Sequence, residues 1–360
     1  MTLLLNSPPK CICLLRLSAI GDVTHVLPTI RSLQQFWPET RITWIIGKLE
    51  YQLVGDIPDI EFIIFDKSLG WRAHLDLWRK LRKRRFDILL HMQVALRASL
   101  ASLLVTAPVR VGYDSTRSKD FQRWFCNTRI NAVKNQHVLD GFLEFIKALG
   151  VKETVLTWDI PIPEADRQWA EQLVDERPLL IVNPSSSKRL RNWRSIAPSL
   201  YAEVIEYAVN VFGSSVILTG GPADHEYTLA ESILNQGVIA QNPSIRSKVA
   251  NLVGRTSLKQ LAALMTKAKL VIAPDTGPAH IANALGVPVI GLYATSNPYR
   301  TGPYCSLKHT VNQYPEAVGL FFNKSVDELP WGKRIRDPQA LELITFGHIR
   351  EKLDEIMKHS

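Results

Sequence analysis

Short apolar runs alternate with longer stretches of helical periodicity along nearly the whole chain. In the first half the apolar runs predict strands over 11–17, 41–47, 61–65, 87–92 and 109–113. Helical patterns fall between them: 23–36, stopped by Pro38, then around 74–83 and 96–105, then an amphipathic stretch over 137–149 that ends at Gly150. The texture breaks at Thr157-Trp-Asp-Ile-Pro-Ile-Pro-Glu164, whose two prolines read as a linker. The rhythm then restarts with strands over 179–182 and 215–220 and helices near 195–208 and 224–234. Leu258, Leu261, Ala262, Met265 and Ala268 share one helical face, a core stripe. A last helix is expected over 346–358. Strands alternating with helices mean parallel sheets with helices on both faces. The fold class predicted is α/β, with two similar doubly wound domains facing a cleft, 1–160 and 161–340, and a C-terminal helix in 341–360 packing back on the first domain. No internal repeat is visible.

One unit is punctuated with unusual clarity. The apolar run Leu270-Val-Ile-Ala-Pro274 is followed by Asp275-Thr-Gly-Pro-Ala-His280, a short helical pattern, Gly286 and then a second apolar run, Val289-Ile-Gly-Leu-Tyr293. Pro278 suits the first turn of a helix, where a missing N–H costs nothing. Gly286 suits the left-handed cap that ends one, before Pro288. This strand–loop–helix–strand unit points the backbone N–H groups of Thr276, Gly277 and Ala279 outward at a positive helix end, where a diphosphate can bind. A carboxylate there would repel phosphate unless it faced another partner, so Asp275 is expected to take a sugar hydroxyl. Its alternative role is as a helix cap, and that of His280 is as a structural histidine.

Composition narrows the class. The 360 residues, 46% hydrophobic, can bury two cores. No run of about 18 apolar residues suggests a membrane span, and the first ten residues lack the charged and apolar regions of a signal peptide. The cysteines Cys11, Cys13, Cys126 and Cys305 have neither metal nor redox spacing and are expected to be reduced, in a cytoplasmic protein. The net charge of +9 is uneven: Arg79, Lys80, Arg82, Lys83, Arg84 and Arg85 crowd together, and Arg97, Arg110, Arg117, Lys119, Arg123, Arg129 and Lys134 follow. Such a surface is either a solvated face or a dock for nucleic acid, an anionic membrane or a phosphorylated lipid. No nucleic-acid motif or aromatic platform accompanies the charges, which ranks nucleic acid last.

Neither G-x-G-x-x-G nor G-x-x-x-x-G-K-[ST] occurs, against both a dehydrogenase and a P-loop enzyme. After the first strand stands Arg16-Leu-Ser-Ala-Ile-Gly-Asp-Val23. There Gly21 permits close approach of a ligand, and Asp22 opens a helix at the strand end that lines the crevice of such sheets, as a cap or as a ligand contact. A second loop, Asn183-Pro-Ser-Ser-Ser-Lys-Arg-Leu-Arg-Asn-Trp193, offers Ser186, Ser187, Lys188, Arg189 and Arg191 to phosphate oxygens. A third, Thr219-Gly220-Gly221-Pro222 with Glu226 nearby, lets a flat nucleotide approach the backbone.

The stretches "RLSAIGDVTHVLPTIRSLQQFWPETRITWII" and "APDTGPAHIANALGVPVIGLYATSNP" resemble the bacterial lipopolysaccharide heptosyltransferases, glycosyltransferase family 9, most closely the heptosyltransferase I type. The likeness runs from about residue 11 to residue 304. It implies a GT-B fold with the acceptor on the first domain and the nucleotide sugar on the second. It implies an inverting, metal-independent transfer from ADP-heptose to Kdo-lipid A, with no cofactor, at the inner face of the inner membrane. Carried over, Asp22 resembles the general base, with His25 the alternative, and Ser18, Gly21, His25, Arg117 and Lys119 fall on the acceptor side. Ser186, Ser187, Asp275, Thr276 and Gly277 resemble the donor loops, joined by Gly220, Gly221, Glu226 and His280. Arg191 stands near the family's diphosphate-binding lysine, but one inserted residue leaves Lys188 and Arg189 as alternatives. The basic first domain would then attract the acceptor's phosphates and carboxylates and the anionic leaflet. The rival readings are a related transferase using another nucleotide sugar or adding a later core sugar, a non-catalytic nucleic-acid-binding protein, and an inactive paralogue, which the intact Asp22 and Asp275 disfavour.

Overall fold

The computed structural model describes residues 7–185 and 196–358. The chain divides into two units, Met1–Pro161 and Ile162–Ser360. In the first, six parallel strands are β1 (Cys11–Leu15), β2 (Arg41–Gly47), β3 (Ile60–Phe65), β4 (Ile88–His91), β5 (Val109–Gly112) and β6 (Thr128–Arg129). They lie in the order β3-β2-β1-β4-β5-β6. In the second, β7 (Leu179–Val182), β8 (Ser215–Leu218), β9 (Val249–Asn251), β10 (Leu270–Pro274), β11 (Val289–Tyr293) and β12 (Val311–Asn312) lie in the order β12-β11-β10-β7-β8-β9. Counted from its own first strand, each sheet runs 3-2-1-4-5-6. The same doubly wound topology therefore occurs twice without a repeated sequence.

The central strands are buried on both faces, which is why they read as unbroken apolar runs. Leu15 pairs with Ile45 on one side and His91 on the other, and Ile272 with Val182 and Ile290. Each sheet reverses its direction of winding once, between β1 and β4 in the first unit and between β7 and β10 in the second. The loops leaving those strand pairs turn to opposite faces and open a crevice at the carboxyl edge, where ligands of open α/β sheets bind.

The prolines at 157–164 do not mark a free tether. Trp158 and Ile160 are buried, and Arg31 Nη2 donates to the Asp159 carbonyl at 2.9 Å. The last helix, Phe346–Lys358, is built into the core of the second unit. Ile349, Leu353 and Ile356 are buried there, and Tyr207 donates to Asp354 at 2.7 Å. Cys13 is fully buried, and burial pushes its thiol well above the ordinary range. Among the described residues no helix is long and apolar enough to cross a membrane.

Candidate active site

At the first crevice the chain leaves β1 through Arg16-Leu17-Ser18 and enters the helix Ile20–Phe36. Ala19 is the N-cap and has no side chain to serve its helix; Asp22 reaches back instead, accepting the Ala19 N–H at Oδ2, 3.3 Å away. The same Oδ2 pairs with the Arg16 guanidinium, and among the described residues Oδ1 has no partner. Arg16 is itself fixed: Nη1 donates to the Met92 carbonyl at 2.6 Å, and the guanidinium lies over the Phe142 ring. Gln93, just past β4, ties the two sides together by accepting the Leu17 N–H at 2.7 Å and donating to Ser18 Oγ at 3.2 Å. The result is a one-third-exposed carboxylate side chain with one oxygen anchored and the other open.

Gly21 is buried beneath this turn, and Thr24 Oγ1 donates to its carbonyl at 2.7 Å. His25 is buried, edge-on to His137. His91, at the end of β4, is also buried, and burial, with help from the charges of Arg110 and Arg16, pushes its pKa down to about 3. Of the two candidates in the basic loop after β5, Lys119 is exposed, whereas Arg117 is spent internally. Arg117 pairs with buried Asp114 and donates to Gln136 Oε1 at 2.8 Å and the Asn131 carbonyl at 2.7 Å. It clamps its own loop.

At the second crevice β10 runs directly into Asp275-Thr276 and the helix Gly277–Ala284. The helix ends as its sequence suggests. Gly286 takes φ +75°, its N–H meets Asn283 O at 3.1 Å, and Val287 N meets Ala282 O at 3.0 Å, a Schellman closure. At the front end Thr276 is the N-cap in extended conformation, yet its hydroxyl caps nothing: Oγ1 is buried without a hydrogen-bond partner. The N–H groups of Thr276, Gly277 and Ala279 likewise find no acceptor among the described residues. Across the crevice, at the end of β7, Asn183 Nδ2 donates to the Thr219 carbonyl at 2.9 Å while its buried Oδ1 is unpartnered. Buried polar atoms without partners are uncommon in folded proteins. Of the two, Thr276 Oγ1 is a donor and stands at a positive helix end, where an anion would be received, whereas Asn183 Oδ1 can only accept.

Asp275 is turned away from that role. Its Oδ2 accepts from Ser296 Oγ at 2.9 Å with Arg334 at 3.8 Å, and His280 Nε2 lies 3.9 Å from Oδ1. The carboxylate thus meets its compensating groups inside the unit, and a sugar hydroxyl is not needed to explain why it stands beside an anion-receiving turn. The glycine pair also has a local reason. A Cβ on Gly220 would lie 2.8 Å from Glu226 Oε2, and one on Gly221 3.0 Å from Oε1, while the Gly221 N–H donates to Oε2 at 2.8 Å. Glu226 packs against both glycines, so their lack of a side chain has a cause within the unit. Ser186, Ser187, Lys188, Arg189 and Arg191 lie outside the described residues.

Four participants escaped the sequence reading. Arg16 opened the quoted motif and Ser296 stood in the recognised "ATSNP", both without a role, and Gln93 and Arg334 are distant in sequence. Among the described residues no three His, Cys, Asp or Glu side chains form a set that could hold a metal ion.

The chain matches the family model "Glycosyltransferase family 9 (heptosyltransferase)" over residues 74–320. It is 41% identical over 334 residues to the lipopolysaccharide core heptosyltransferase OpsX of Haemophilus influenzae, covering 92% of this chain and 93% of that one. It is 24% identical to lipopolysaccharide heptosyltransferase 1 of Pseudomonas aeruginosa over 86% of each. The crystal structure of a family 9 glycosyltransferase from Veillonella parvula shares the fold with a TM-score of 0.79 over 98% of both chains, at 23% identity. The E. coli heptosyltransferase WaaC with ADP does so with a TM-score of 0.71 over 96% of this chain and 99% of that one, at 19% identity. The two doubly wound units are accordingly those of a GT-B protein, and the chain belongs to glycosyltransferase family 9, the heptosyltransferases.

Proposed function

We propose that this enzyme transfers heptose from ADP-heptose to the Kdo-lipid A inner core of lipopolysaccharide, with inversion, without a metal ion, at the inner face of the inner membrane. The observation that carries the reading is the 41% identity to a lipopolysaccharide core heptosyltransferase over almost the full length of both chains. The choice of nucleotide is supported by solved relatives, one bound to ADP and one to ADP-2-deoxy-2-fluoro heptose.

In this reading an acceptor hydroxyl attacks the anomeric carbon of the donor. Asp22 Oδ1 receives the hydroxyl proton while Oδ2 stays held by Arg16 and the Ala19 N–H. The bond from the anomeric carbon to the diphosphate breaks, and its electron pair leaves with ADP. That charge is met by Thr276 Oγ1 and the N–H groups of Thr276, Gly277 and Ala279, preorganised donors that need no rearrangement when the charge develops. Lys188 and Arg191, with Ser186 and Ser187, would add cations and hydroxyls. Asp22 is preferred over His25 because its carboxylate is partly exposed and His25 is buried. Ser18, Gly21 and Lys119 remain on the acceptor side, while Asp275, His280, Gly220, Gly221 and Glu226 shape the donor loops from behind. A second reading, addition of a later core heptose, is favoured by comparable identity to type 3 enzymes, 23% over 289 residues.

Mass analysis of Kdo-lipid A incubated with ADP-heptose, enzyme and a chelator tests both readings. One added heptose is expected. Addition only to an acceptor already carrying heptose would select the second reading, and a requirement for restored divalent cation would overturn metal independence.

A further inference from the structure

Two helices of the first unit cover the same face of its sheet. Arg72–Leu81, between β3 and β4, and Leu96–Ser102, between β4 and β5, contribute Ala73, Leu77, Leu81, Ala98 and Ala101 to one buried cluster with Leu15, Ile63 and Leu89. Their inward flanks are thereby accounted for. Their outward flanks are not ordinary solvent faces. Trp71 is 72% exposed and Trp78 44%, and Leu96, Leu100 and Leu103 are exposed as well. At 100° per residue, Trp71, Leu75, Trp78 and Arg82 fall within one narrow stripe, and Leu96, Leu100 and Leu103 form a second.

Cations interleave with these apolar side chains. Residues 72–85 hold seven, Arg72, Arg79, Lys80, Arg82, Lys83, Arg84 and Arg85, against the single acid Asp76. Lys80 is paired with Asp76 and Arg84 with Glu61. Arg82 lies 5.5 Å from the centre of the Trp78 ring and Arg72 6.0 Å from that of Trp71. Exposed Arg97 stands beside the leucines.

We infer that this outer face, centred on Trp71, Trp78 and the cations around them, is a bilayer-docking surface for a leaflet rich in anionic lipid. Indole rings favour the boundary between headgroups and acyl chains, leucines the layer beneath, and arginines the phosphate plane. Charge selects this occupant over a second copy of the chain, because a two-fold pairing of the face would set its cations against one another. The exposed leucine stripe selects it over a nucleic acid, which reads phosphates with cations and has no use for buried leucine. The inference rests on the proposed function only for its physiological setting.

The test uses the whole enzyme and vesicles without donor or acceptor, so it stands or falls apart from the transfer reaction. Vesicles of equal parts phosphatidylethanolamine and phosphatidylglycerol should sediment the protein, with tryptophan emission quenched by brominated lipid, and phosphatidylcholine vesicles should not. Trp71→Ser with Trp78→Ser should weaken sedimentation about tenfold and remove most of the quenching. Arg79→Gln, Arg82→Gln and Lys83→Gln together should weaken it by at least as much and reduce its salt dependence. All these side chains are exposed, so Tm and transfer to a delipidated, water-soluble acceptor should not change. Failure of the wild type to bind anionic vesicles, or unchanged binding by both variants, would overturn the inference. So would loss of activity toward the soluble acceptor in step with vesicle binding, which would make the face an acceptor site, and so would a dimer that the variants dissociate.

Discussion

The two crevices occupy equivalent places in two sheets of the same strand order, yet their polar groups are in opposite states. At the first, Arg16, Gln93, Ser18 and the Ala19 N–H are bonded to one another or to Asp22, and among the described residues what is left without a partner is one carboxylate oxygen of Asp22 and the buried Arg16 Nε. At the second, Thr276 Oγ1 and the helix-end N–H groups are without partners among the described residues, while the carboxylate present, Asp275, accepts from Ser296 behind them. A proton acceptor needs a fixed orientation and one free lone pair, and the first crevice supplies both. A receptor for a departing anion needs donors with nothing else to bind, and the second supplies those. On the proposed reaction, one topology would serve two halves of the transfer because the side chains at its switch points are differently committed.

The largest expected effect breaks the first half alone. Asp22→Asn keeps the size and the Ala19 contact but removes the proton acceptor, and transfer should fall by about 10²- to 10⁴-fold in a single-turnover assay. Thr276→Val acts on the second half with two opposite signs. It removes a hydrogen bond to a charged ligand, about 2 kcal/mol or roughly thirtyfold in Kd for ADP by calorimetry. In the unliganded protein it removes an unsatisfied buried hydroxyl, so Tm should hold or rise. Ser296→Ala should do the reverse, lowering stability by about 1–2 kcal/mol in denaturant unfolding by removing the Ser296 hydrogen bond to Asp275, with a smaller effect on ADP. The smallest effect near neutral pH concerns His91, whose pKa of about 3 lies below its ordinary 6.5. A histidine held neutral by burial contributes stability above its unfolded pKa that is lost as pH falls toward the folded one. Acid unfolding between pH 6.5 and 3 should therefore flatten in His91→Asn.

What was legible in the sequence were features with a local cause. The strands β2, β7, β10 and β11 and the last helix stand where apolar runs and periodicity placed them, because buried parallel strands leave unbroken apolar runs. Gly286 ends its helix for a reason visible in four residues. The edge strands β6, β9 and β12, two or three residues long, carry too little pattern to be read, and the helices Lys48–Val54 and Tyr314–Phe322 were missed. At the site the loops were legible and their wiring was not. Gln93 lies 75 residues from Ser18, and Arg334 far from Asp275, so no periodicity connects them. Glu226 explains Gly220 and Gly221 only once its carboxylate is seen packed against them. Arg117 looked like a free cation because Asp114, Gln136 and Asn131 give no sign in sequence of converging on it.

The division of labour between the crevices is tested most directly by titrating ADP into Asp22→Asn and Thr276→Val side by side. The account predicts wild-type affinity for Asp22→Asn and a roughly thirtyfold loss for Thr276→Val. Loss of ADP binding in Asp22→Asn, or unchanged binding in Thr276→Val, would contradict it.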